Sequence, residues 1–374
     1  MNKPLFRIIV LAALAMLLIT GCGPAPAPEV VEVEVEKEVV ITQVVEIEGE
    51  TVVQEVVITA TPQPEPEMGP FRVAVILPSS IDDAAFSQAM YAALLSIQED
   101  WGGEDKFEIA YSEGMFKVPD ASAAIRDYAS EGFDLVIVHG AVIGTALSQI
   151  APDFPETSFA WGSGIDTFQG QGVENVFAYE VRAQEGGYVL GTMGALLSES
   201  GVLGVSGPIA TGDAKLYVDG FVVGATAARP DATVNVSYTG SFADVSLMAA
   251  AAETHIQAGA DVITGTSQSA VGAIGVAKDN EAVYLCQQWD QISLAPEAVP
   301  ACQIYDFTGV VNDIIETRLA GVMGGKVYNM SFKNGGLTML YNDEYPLPDD
   351  VQAAVDAAIQ GIGDGTIDPL IPAE

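Results

Sequence analysis

Five short clusters combine polar and aromatic side chains, and they lie after segments that the sequence predicts to be buried strands. The clusters are residues 81–88, 161–163, 240–244, 264–268 and 287–291. Aromatic faces with amide, hydroxyl and carboxyl groups beside them suit a flat ring, because stacking of a base contributes roughly 1 to 3 kcal/mol in other systems. For each aromatic side chain taken singly, packing in the core is an equal alternative. Taken together, the clusters indicate noncovalent binding of a small molecule.

Catalytic chemistry is hard to assemble from this sequence. The chain has two histidines, of which His255 falls within a predicted amphipathic helix and His139 follows a predicted strand. His139 is therefore a candidate ligand contact, with packing as its alternative. The spacing of Gly201, Gly204 and Gly207 is more typical of turns than of a phosphate cradle, and no GxxxxGK motif occurs. We expect no enzymatic activity, no metal site and no cofactor.

Two of the three cysteines, Cys286 and Cys302, lie at the ends of predicted strands. Disulfides persist outside the cytoplasm, so these residues either form a disulfide or are small buried side chains.

The third cysteine, Cys22, follows a different pattern. Lys3 and Arg7 precede an apolar run of about a dozen residues that ends at Leu18-Ile19-Thr20-Gly21-Cys22. The run is too short to span a membrane and is typical of a secretory signal.

The residues around Cys22 resemble the lipobox of bacterial lipoproteins. This resemblance implies a signal peptide over residues 1–21 and acyl chains on Cys22, hence a location at the extracytoplasmic face of the cell membrane. Residues 22–69 contain proline-rich stretches and an alternation of Val and Glu from Val30 to Glu38. We interpret this segment as a disordered acidic tether, since no partner strand is evident, with a coiled coil as a weaker alternative.

The formal net charge of the chain is −37 at pH 7. The signal carries +2 and the tether −10, which leaves −29 on residues 70–374. Such a surface argues against nucleic acid and strongly anionic ligands, because phosphate contacts need Lys and Arg. Neutral or cationic solutes fit better, although the charge is equally explained by a need for solubility.

From Phe71 onward, short apolar runs alternate with longer segments of helical spacing, and the alternation begins again after Gln184. This βαβ pattern predicts an α/β protein with two successive lobes, each built on a parallel sheet. Ligands of open parallel sheets bind at the carboxyl ends of the strands, so the cleft between two such lobes is the expected site.

The order of several motifs resembles the basic membrane protein family, the lipoprotein solute-binding components of ABC importers. The motifs are Asp82-Asp83-x-x-Phe86-x-Gln88, Gln184-Glu185-Gly186-Gly187-Tyr188-x-x-Gly191, Gly220-Phe221-x-x-Gly224, Gly240-Ser241-Phe242-x-Asp244, Gly259-Ala260-Asp261-Val262 and Asp290-Gln291-x-x-Leu294-Ala295-Pro296. The resemblance covers about residues 71–325. It implies the type I periplasmic-binding-protein fold, with three crossovers between Rossmann-like lobes, and a purine nucleoside as the usual ligand.

The resemblance also implies roles for individual residues. Phe86 and Phe242 stand where the family has the two rings that sandwich the base, with Asp83 and Ser87 beside the first ring. Gln288 and Tyr305 stand where the family usually has an Asp and a Lys that bind ribose. Loss of both charges favours a free purine base over a nucleoside, because charge-assisted hydrogen bonds are about twice as strong as neutral ones.

The expected ligand contacts are Asp83, Phe86, Ser87, His139, Trp161, Phe242, Ser267, Gln288, Trp289, Asp290 and Tyr305. We expect residues 70–181 and 306–325 to form the first lobe, and residues 182–305 and 326–374 to form the second. The predicted partners are a purine base or nucleoside, an ABC permease and, through the lipid anchor, the membrane; nucleic acid is not expected. A sensory lipoprotein and a sugar- or autoinducer-binding protein of the same fold are the alternatives.

Overall fold

The computed structural model describes residues 38–47, 50–59 and 69–371. The predicted signal peptide and Cys22 lie outside these residues. The chain divides into two compact units, with the boundary between Met68 and Gly69. Among the described residues, no helix is long and apolar enough to cross a bilayer.

The first unit contains an antiparallel pair of strands, β1 (Glu38–Ile47) and β2 (Glu50–Thr59). Gln43 lies opposite Gln54 at the centre of this pair. The prediction of a disordered tether without a partner strand was wrong for these residues. Both segments alternate apolar and polar positions with a period of two, so each one can supply the partner strand that the other needs.

The second unit consists of two lobes that each contain a six-stranded sheet. The sheet of lobe 1 has the order β4-β3-β5-β6-β7-β13 and is wholly parallel. Its strands are β3 (Phe71–Ile76), β4 (Phe107–Ser112), β5 (Leu135–His139), β6 (Ser158–Gly162), β7 (Val176–Val181) and β13 (Val327–Met330). Its helices are α1 (Phe86–Asp100), α2 (Val118–Ser130), α3 (Leu147–Ile150) and α8 (Thr308–Leu319).

The sheet of lobe 2 has the order β9-β8-β10-β11-β12-β14, and only its edge strand β14 is antiparallel. Its strands are β8 (Val202–Gly207), β9 (Thr233–Tyr238), β10 (Val262–Gly265), β11 (Val283–Gln288), β12 (Ala301–Tyr305) and β14 (Leu337–Tyr341). Its helices are α4 (Ala183–Leu197), α5 (Gly212–Ala228), α6 (Val245–Gln257), α7 (Val271–Asp279) and α9 (Asp349–Asp364).

The core of each lobe consists of buried apolar strands that are covered by helices on both faces of the sheet. Strand β5 is buried along its whole length, as expected for a central parallel strand covered on both sides. In lobe 1, Ile125 of α2 packs on one face of the sheet, and Leu94 of α1 packs on the other. The lobes therefore have the α/β layered architecture that the sequence predicts.

Three segments cross between the lobes. They are the β7–α4 junction at Arg182, the β12–α8 junction at residues 306–307 and the β13–β14 connection at residues 331–336. The predicted boundary at residue 326 was wrong, because β13 pairs with β7 in lobe 1 rather than joining lobe 2. The third crossover therefore follows Met330.

Cys286 and Cys302 form a disulfide. The two residues lie side by side on the adjacent parallel strands β11 and β12, with their Cα atoms 4.4 Å apart. The bond joins two strands whose carboxyl ends, at Gln288 and Tyr305, reach the cleft between the lobes.

Candidate functional site

A cavity of about 270 Å³ lies between the lobes at the carboxyl ends of their strands. Its volume is near the lower end of the usual range for small-molecule sites, which is about 300 to 1,000 Å³. Lobe 1 contributes Pro78, Phe86, Phe116, residues 140–143 and Ser163. Lobe 2 contributes residues 208, 209 and 211–214, Phe242 and residues 266–268, and Gln288 and Tyr305 lie at the crossover side. Most of the lining is apolar.

Five of the eleven predicted contacts line this cavity. They are Phe86, Phe242, Ser267, Gln288 and Tyr305. Phe86 belongs to lobe 1 and Phe242 to lobe 2, so aromatic rings reach the cavity from both sides. The hydroxyl of Ser267 is already hydrogen bonded to Ser269, at 2.7 Å between the two oxygens.

The side chain of Asp83 does not line the cavity but caps helix α1. Its carboxylate accepts hydrogen bonds from the backbone N–H groups of Ala85, Ser87 and Gln88, at 2.9 to 3.2 Å. Burial raises the pKa of Asp83, and these hydrogen bonds act in the opposite direction. Ser87 is fully buried, and its hydroxyl accepts from the N–H of Ser79. Both side chains hold the start of α1 and neither is among the residues that line the cavity, so their contact with a ligand stays a prediction.

His139 lies directly behind Phe86 rather than in the cavity. The two rings stack with centroids 3.8 Å apart, and one imidazole nitrogen is 3.0 Å from the Phe86 carbonyl oxygen. The other nitrogen is 2.6 Å from the hydroxyl of Tyr179. These contacts give the imidazole a supporting role for Phe86, and direct contact of His139 with a ligand stays a prediction.

Trp161, Trp289 and Asp290 also lie outside the cavity lining. The indole of Trp161 stacks on Phe168 and donates a hydrogen bond to the carbonyl of Ala141, which does line the cavity. Trp289 packs against the main apolar core, and Asp290 caps a turn by accepting from the N–H of Ile292. None of these three side chains is among those that line the cavity, and their contact with a ligand stays a prediction.

Asp213 is the main cavity residue that the sequence analysis missed. It lies in the first turn of α5, directly after the loop that follows strand β8. The pKa of its carboxyl group is raised to about 6, because burial and, to a smaller extent, the negative charge of Glu180 outweigh a hydrogen bond with Ser163 that lowers it. The sequence feature that could have identified Asp213 is its position between a parallel strand and the start of a helix, because folds of this kind bind ligands there.

Strained backbone marks the same region. Ser163 and Gln288 line the cavity with φ angles of 57° and 77°, and Ala84 beside it has a φ of 51°. Left-handed conformations of residues other than glycine cost of order 1 to 3 kcal/mol and tend to occur at functional sites. At Gln288, this backbone conformation lies at the end of strand β11, where the side chain meets the cavity.

A side-chain hydrogen bond of the almost fully buried Gln291 joins the two lobes directly. The side-chain amide of Gln291 in lobe 2 donates to the carbonyl oxygen of Ala84 in lobe 1, at 2.8 Å. The backbone N–H of Ala84 in turn donates to the side chain of Gln88, which holds the loop in place. Since this bond links the two lobes, we expect it to favour their closure over a ligand.

Replacement of Gln291 by alanine should weaken ligand binding by about fivefold, because a hydrogen bond of this kind contributes roughly 1 kcal/mol to closure. Dissociation should be faster, since the lobes open more readily. Calorimetric titration and stopped-flow dissociation would measure both. Gln98→Ala is the matched control, as Gln98 makes its hydrogen bond to Phe107 within lobe 1. Equal affinities of Gln291→Ala and Gln98→Ala would contradict this role.

The buried imidazole of His139 also predicts a pH effect. Burial lowers its pKa to about 3, so the folded protein disfavours the protonated form that the unfolded chain adopts below about pH 6.5. Stability is then present above pH 6.5 and is lost as the pH falls. Between pH 7 and pH 5, the free energy of unfolding should fall by about 2 kcal/mol more in the unmodified protein than in His139→Gln. Urea unfolding at both pH values measures this difference, and identical changes in the two proteins would contradict it.

The fold and the cleft together define a two-lobed solute-binding protein of the periplasmic-binding-protein type. Residues 71–363 match the family model described as Bmp, ABC transporter substrate-binding protein PnrA-like. The chain belongs to this family, as the motifs in the sequence indicated.

Named relatives and solved structures agree with this family. The chain is 27% identical to a purine-binding protein of Brucella abortus, over 71% of this chain and 74% of the relative. It is 25% identical to an ABC transporter nucleoside-binding protein of Lactococcus lactis, over 76% of this chain and 85% of the relative. A solute-binding protein of an ABC transporter from Conexibacter woesei shares the fold with a TM-score of 0.66 at 22% identity, over 79% of this chain and 97% of that one.

Proposed function

We propose that this protein captures a purine base or nucleoside in the cleft between its lobes and delivers it to an ABC permease. The observation that carries this proposal is the presence of Phe86 and Phe242, from opposite lobes, in the lining of one small apolar cavity. Two rings on opposite walls suit a flat heterocycle, because each face of the ligand can stack on a ring. The printed functions of the Brucella and Lactococcus relatives support the same class of ligand.

Capture rests on closure of the lobes. The open form admits the ligand, and closure buries it because the ligand binds the closed form more tightly. The three crossovers allow the lobes to rotate, and the hydrogen bond from Gln291 to Ala84 forms on closure. The ligand leaves unchanged, since the cavity presents no nucleophile with a positioned base: the buried His139 is bound to Tyr179 and Phe86.

A free base is favoured over a nucleoside in this proposal. The positions where the family resemblance implied ribose-binding charges hold Gln288 and Tyr305, and both line the cavity. Burial raises the pKa of Tyr305 well above its ordinary value, so its hydroxyl stays neutral, and the side-chain amide of Gln288 is neutral as well. Ribose would therefore meet weaker hydrogen-bonding partners than a carboxylate and an ammonium group provide.

Anchoring through acyl chains on Cys22 completes the proposal. A lipid anchor would place the protein at the extracytoplasmic face of the membrane, beside its permease, without a spanning helix. Metabolic labelling with a radioactive fatty acid would show a labelled protein for the native sequence and none for Cys22→Ala. Label on both proteins, or on neither, would contradict the anchor.

A thermal-shift panel tests the ligand class. The panel contains adenine, guanine, hypoxanthine, xanthine, their nucleosides, pentoses and hexoses. A ligand at 100 times its dissociation constant stabilises by about 2.7 kcal/mol, which raises the melting temperature by several degrees. We expect the largest shifts with bases. Shifts with sugars alone would instead support the sugar-binding alternative and contradict the purine assignment.

Import and sensing require a second experiment, because both begin with the same binding event. Deletion of the gene should reduce uptake of the labelled ligand by intact cells if the protein serves a permease. Unchanged uptake, with a changed transcriptional response to the ligand, would favour a sensory function.

A further inference from the structure

The cavity contains a single charged side chain. Of the residues that line it, only Asp213 carries a charge, and no Lys or Arg is among them. The other polar side chains of the lining belong to serine, threonine, glutamine and tyrosine. A lone carboxylate in a mostly apolar cavity is unusual, because buried charges normally have a partner of opposite sign or several hydrogen-bond donors.

The surroundings of Asp213 do not supply that partner. The groups that influence its carboxyl group are Ser163, which forms one hydrogen bond, and Glu180, which is negative itself. Burial and the negative charge of Asp213 raise the pKa of Tyr179 and Tyr305, so both hydroxyls stay neutral. Arg182 at the crossover forms an ion pair with Glu185. His139 is neutral near pH 7, because burial lowers its pKa to about 3. Asp213 therefore keeps free capacity to accept hydrogen bonds.

Two glutamine side chains of the same lining each have a buried oxygen atom without a partner. The Oε1 atoms of Gln268 and Gln288 are buried without a hydrogen bond, and both residues line the cavity. Only 8% of Gln288 is exposed, so water does not readily satisfy its side chain. An amide can present either its oxygen or its NH₂ group to a ligand, whereas an ionised carboxylate can only accept. Ionised Asp213 therefore requires a hydrogen-bond donor from the ligand, whereas the two glutamines can bind either a donor or an acceptor.

We propose that Asp213 determines specificity by selecting a heterocycle that presents an exocyclic amino group over one that presents a carbonyl there. This inference rests on the proposed function and narrows its ligand class. A carbonyl placed against the carboxylate would bring two acceptors together, while an amino group supplies the donor that the site lacks. Phosphorylated ligands are excluded by the same charge, because the lining offers no cation.

Asp213→Asn tests this inference, since it keeps the shape of the side chain and removes its charge. We expect the unmodified protein to bind adenine more tightly than hypoxanthine, two purines that differ in an amino and a carbonyl group. In Asp213→Asn, the affinity for adenine should fall roughly 10- to 100-fold, and the preference for adenine should disappear. Calorimetric titration gives both dissociation constants. Asp219→Asn is the matched control, because Asp219 lies on the same helix and pairs with Lys215 instead of lining the cavity.

A second readout separates specificity from folding. The raised pKa of Asp213 means that the folded protein disfavours its ionised form, so stability is complete below about pH 4 and falls as the pH rises through about 6. Without ligand, Asp213→Asn should therefore melt at a higher temperature than the unmodified protein at pH 7, with a smaller difference at pH 4. A variant that melts normally and has lost only its preference for adenine supports the role in specificity.

The outcomes separate this inference from the purine assignment. Purine binding with an adenine preference that survives in Asp213→Asn overturns the role of Asp213 and leaves the proposed function standing. The panel also includes cytosine and uracil, which form a second amino and carbonyl pair. Binding of cytosine without purines, with a preference over uracil lost in the variant, overturns the purine assignment alone. No binding of these four bases, of guanine and xanthine, or of the purine nucleosides overturns both.

Discussion

Replacement of Phe242 by alanine should weaken ligand binding about 10- to 100-fold with little change in stability. The ring lines the cavity from lobe 2 and lies in the partly exposed loop between β9 and α6. Loss of one stacked aromatic face removes roughly 1 to 3 kcal/mol of binding free energy. The free energy of unfolding should change by less than about 1 kcal/mol, because a loop side chain of this kind leaves no large cavity in the core.

Phe242 is a better test than Phe86, because the two rings differ in what else they touch. Phe86 is buried, stacks on His139 and contacts Phe307 edge to face, so its removal would also damage lobe 1. Tyr111→Ala is a suitable control, since Tyr111 is an exposed aromatic residue on the edge strand β4. Calorimetry on Phe242→Ala, Phe242→Trp and the control would measure the effect. An unchanged affinity in Phe242→Ala would show that the ring does not contact the ligand.

Gly224→Ala should destabilise the protein by about 3 kcal/mol or more. Helices α4 and α5 lie so close that a Cβ atom at Gly224 would overlap the carbonyl oxygen of Tyr188. The obstacle is backbone rather than a flexible side chain, so the helices would have to separate and expose apolar surface. Gly187, Gly191 and Gly220 meet the facing helix in the same way.

Chemical denaturation measures this effect, and α7 offers a matched control. Gly275 also lies in a helix, but a Cβ atom there meets nothing within 4 Å. Gly275→Ala should stabilise by about 0.5 to 1 kcal/mol, since alanine loses less conformational freedom than glycine on folding. Equal stability of the two variants would contradict the close approach of α4 and α5. The same contact explains why the motifs 184–191 and 220–224 are rich in glycine.

The sequence predicted the two-lobed architecture because parallel strands and their helices have distinct apolar periodicities. Strands Phe71–Ile76 and Val262–Gly265 are short apolar runs, and the helices between strands repeat every three to four residues. Strand β13 was assigned to the wrong lobe, since a four-residue strand carries no signal for which sheet it joins. That information lies in the long-range pairing of Val327 with Ala178.

The site was predicted less completely, because the position of a residue in a loop does not determine the direction of its side chain. Asp83 and Asp290 belong to clusters that do lie at the ends of strands, yet their carboxylates accept hydrogen bonds from nearby backbone N–H groups. Aspartate at a turn or helix start often does so. Asp213 was not singled out in the sequence, and the structure places it in the lining of the cavity.

A crystal structure of the complex with the tightest-binding base would test the proposed binding mode. We expect the base to lie in the cleft in contact with both Phe86 and Phe242, with an N–H group directed at Asp213. The lobes should be closed, with Gln291 bonded to Ala84. A base bound outside the cleft, or a ring that contacts neither phenylalanine, would contradict this binding mode.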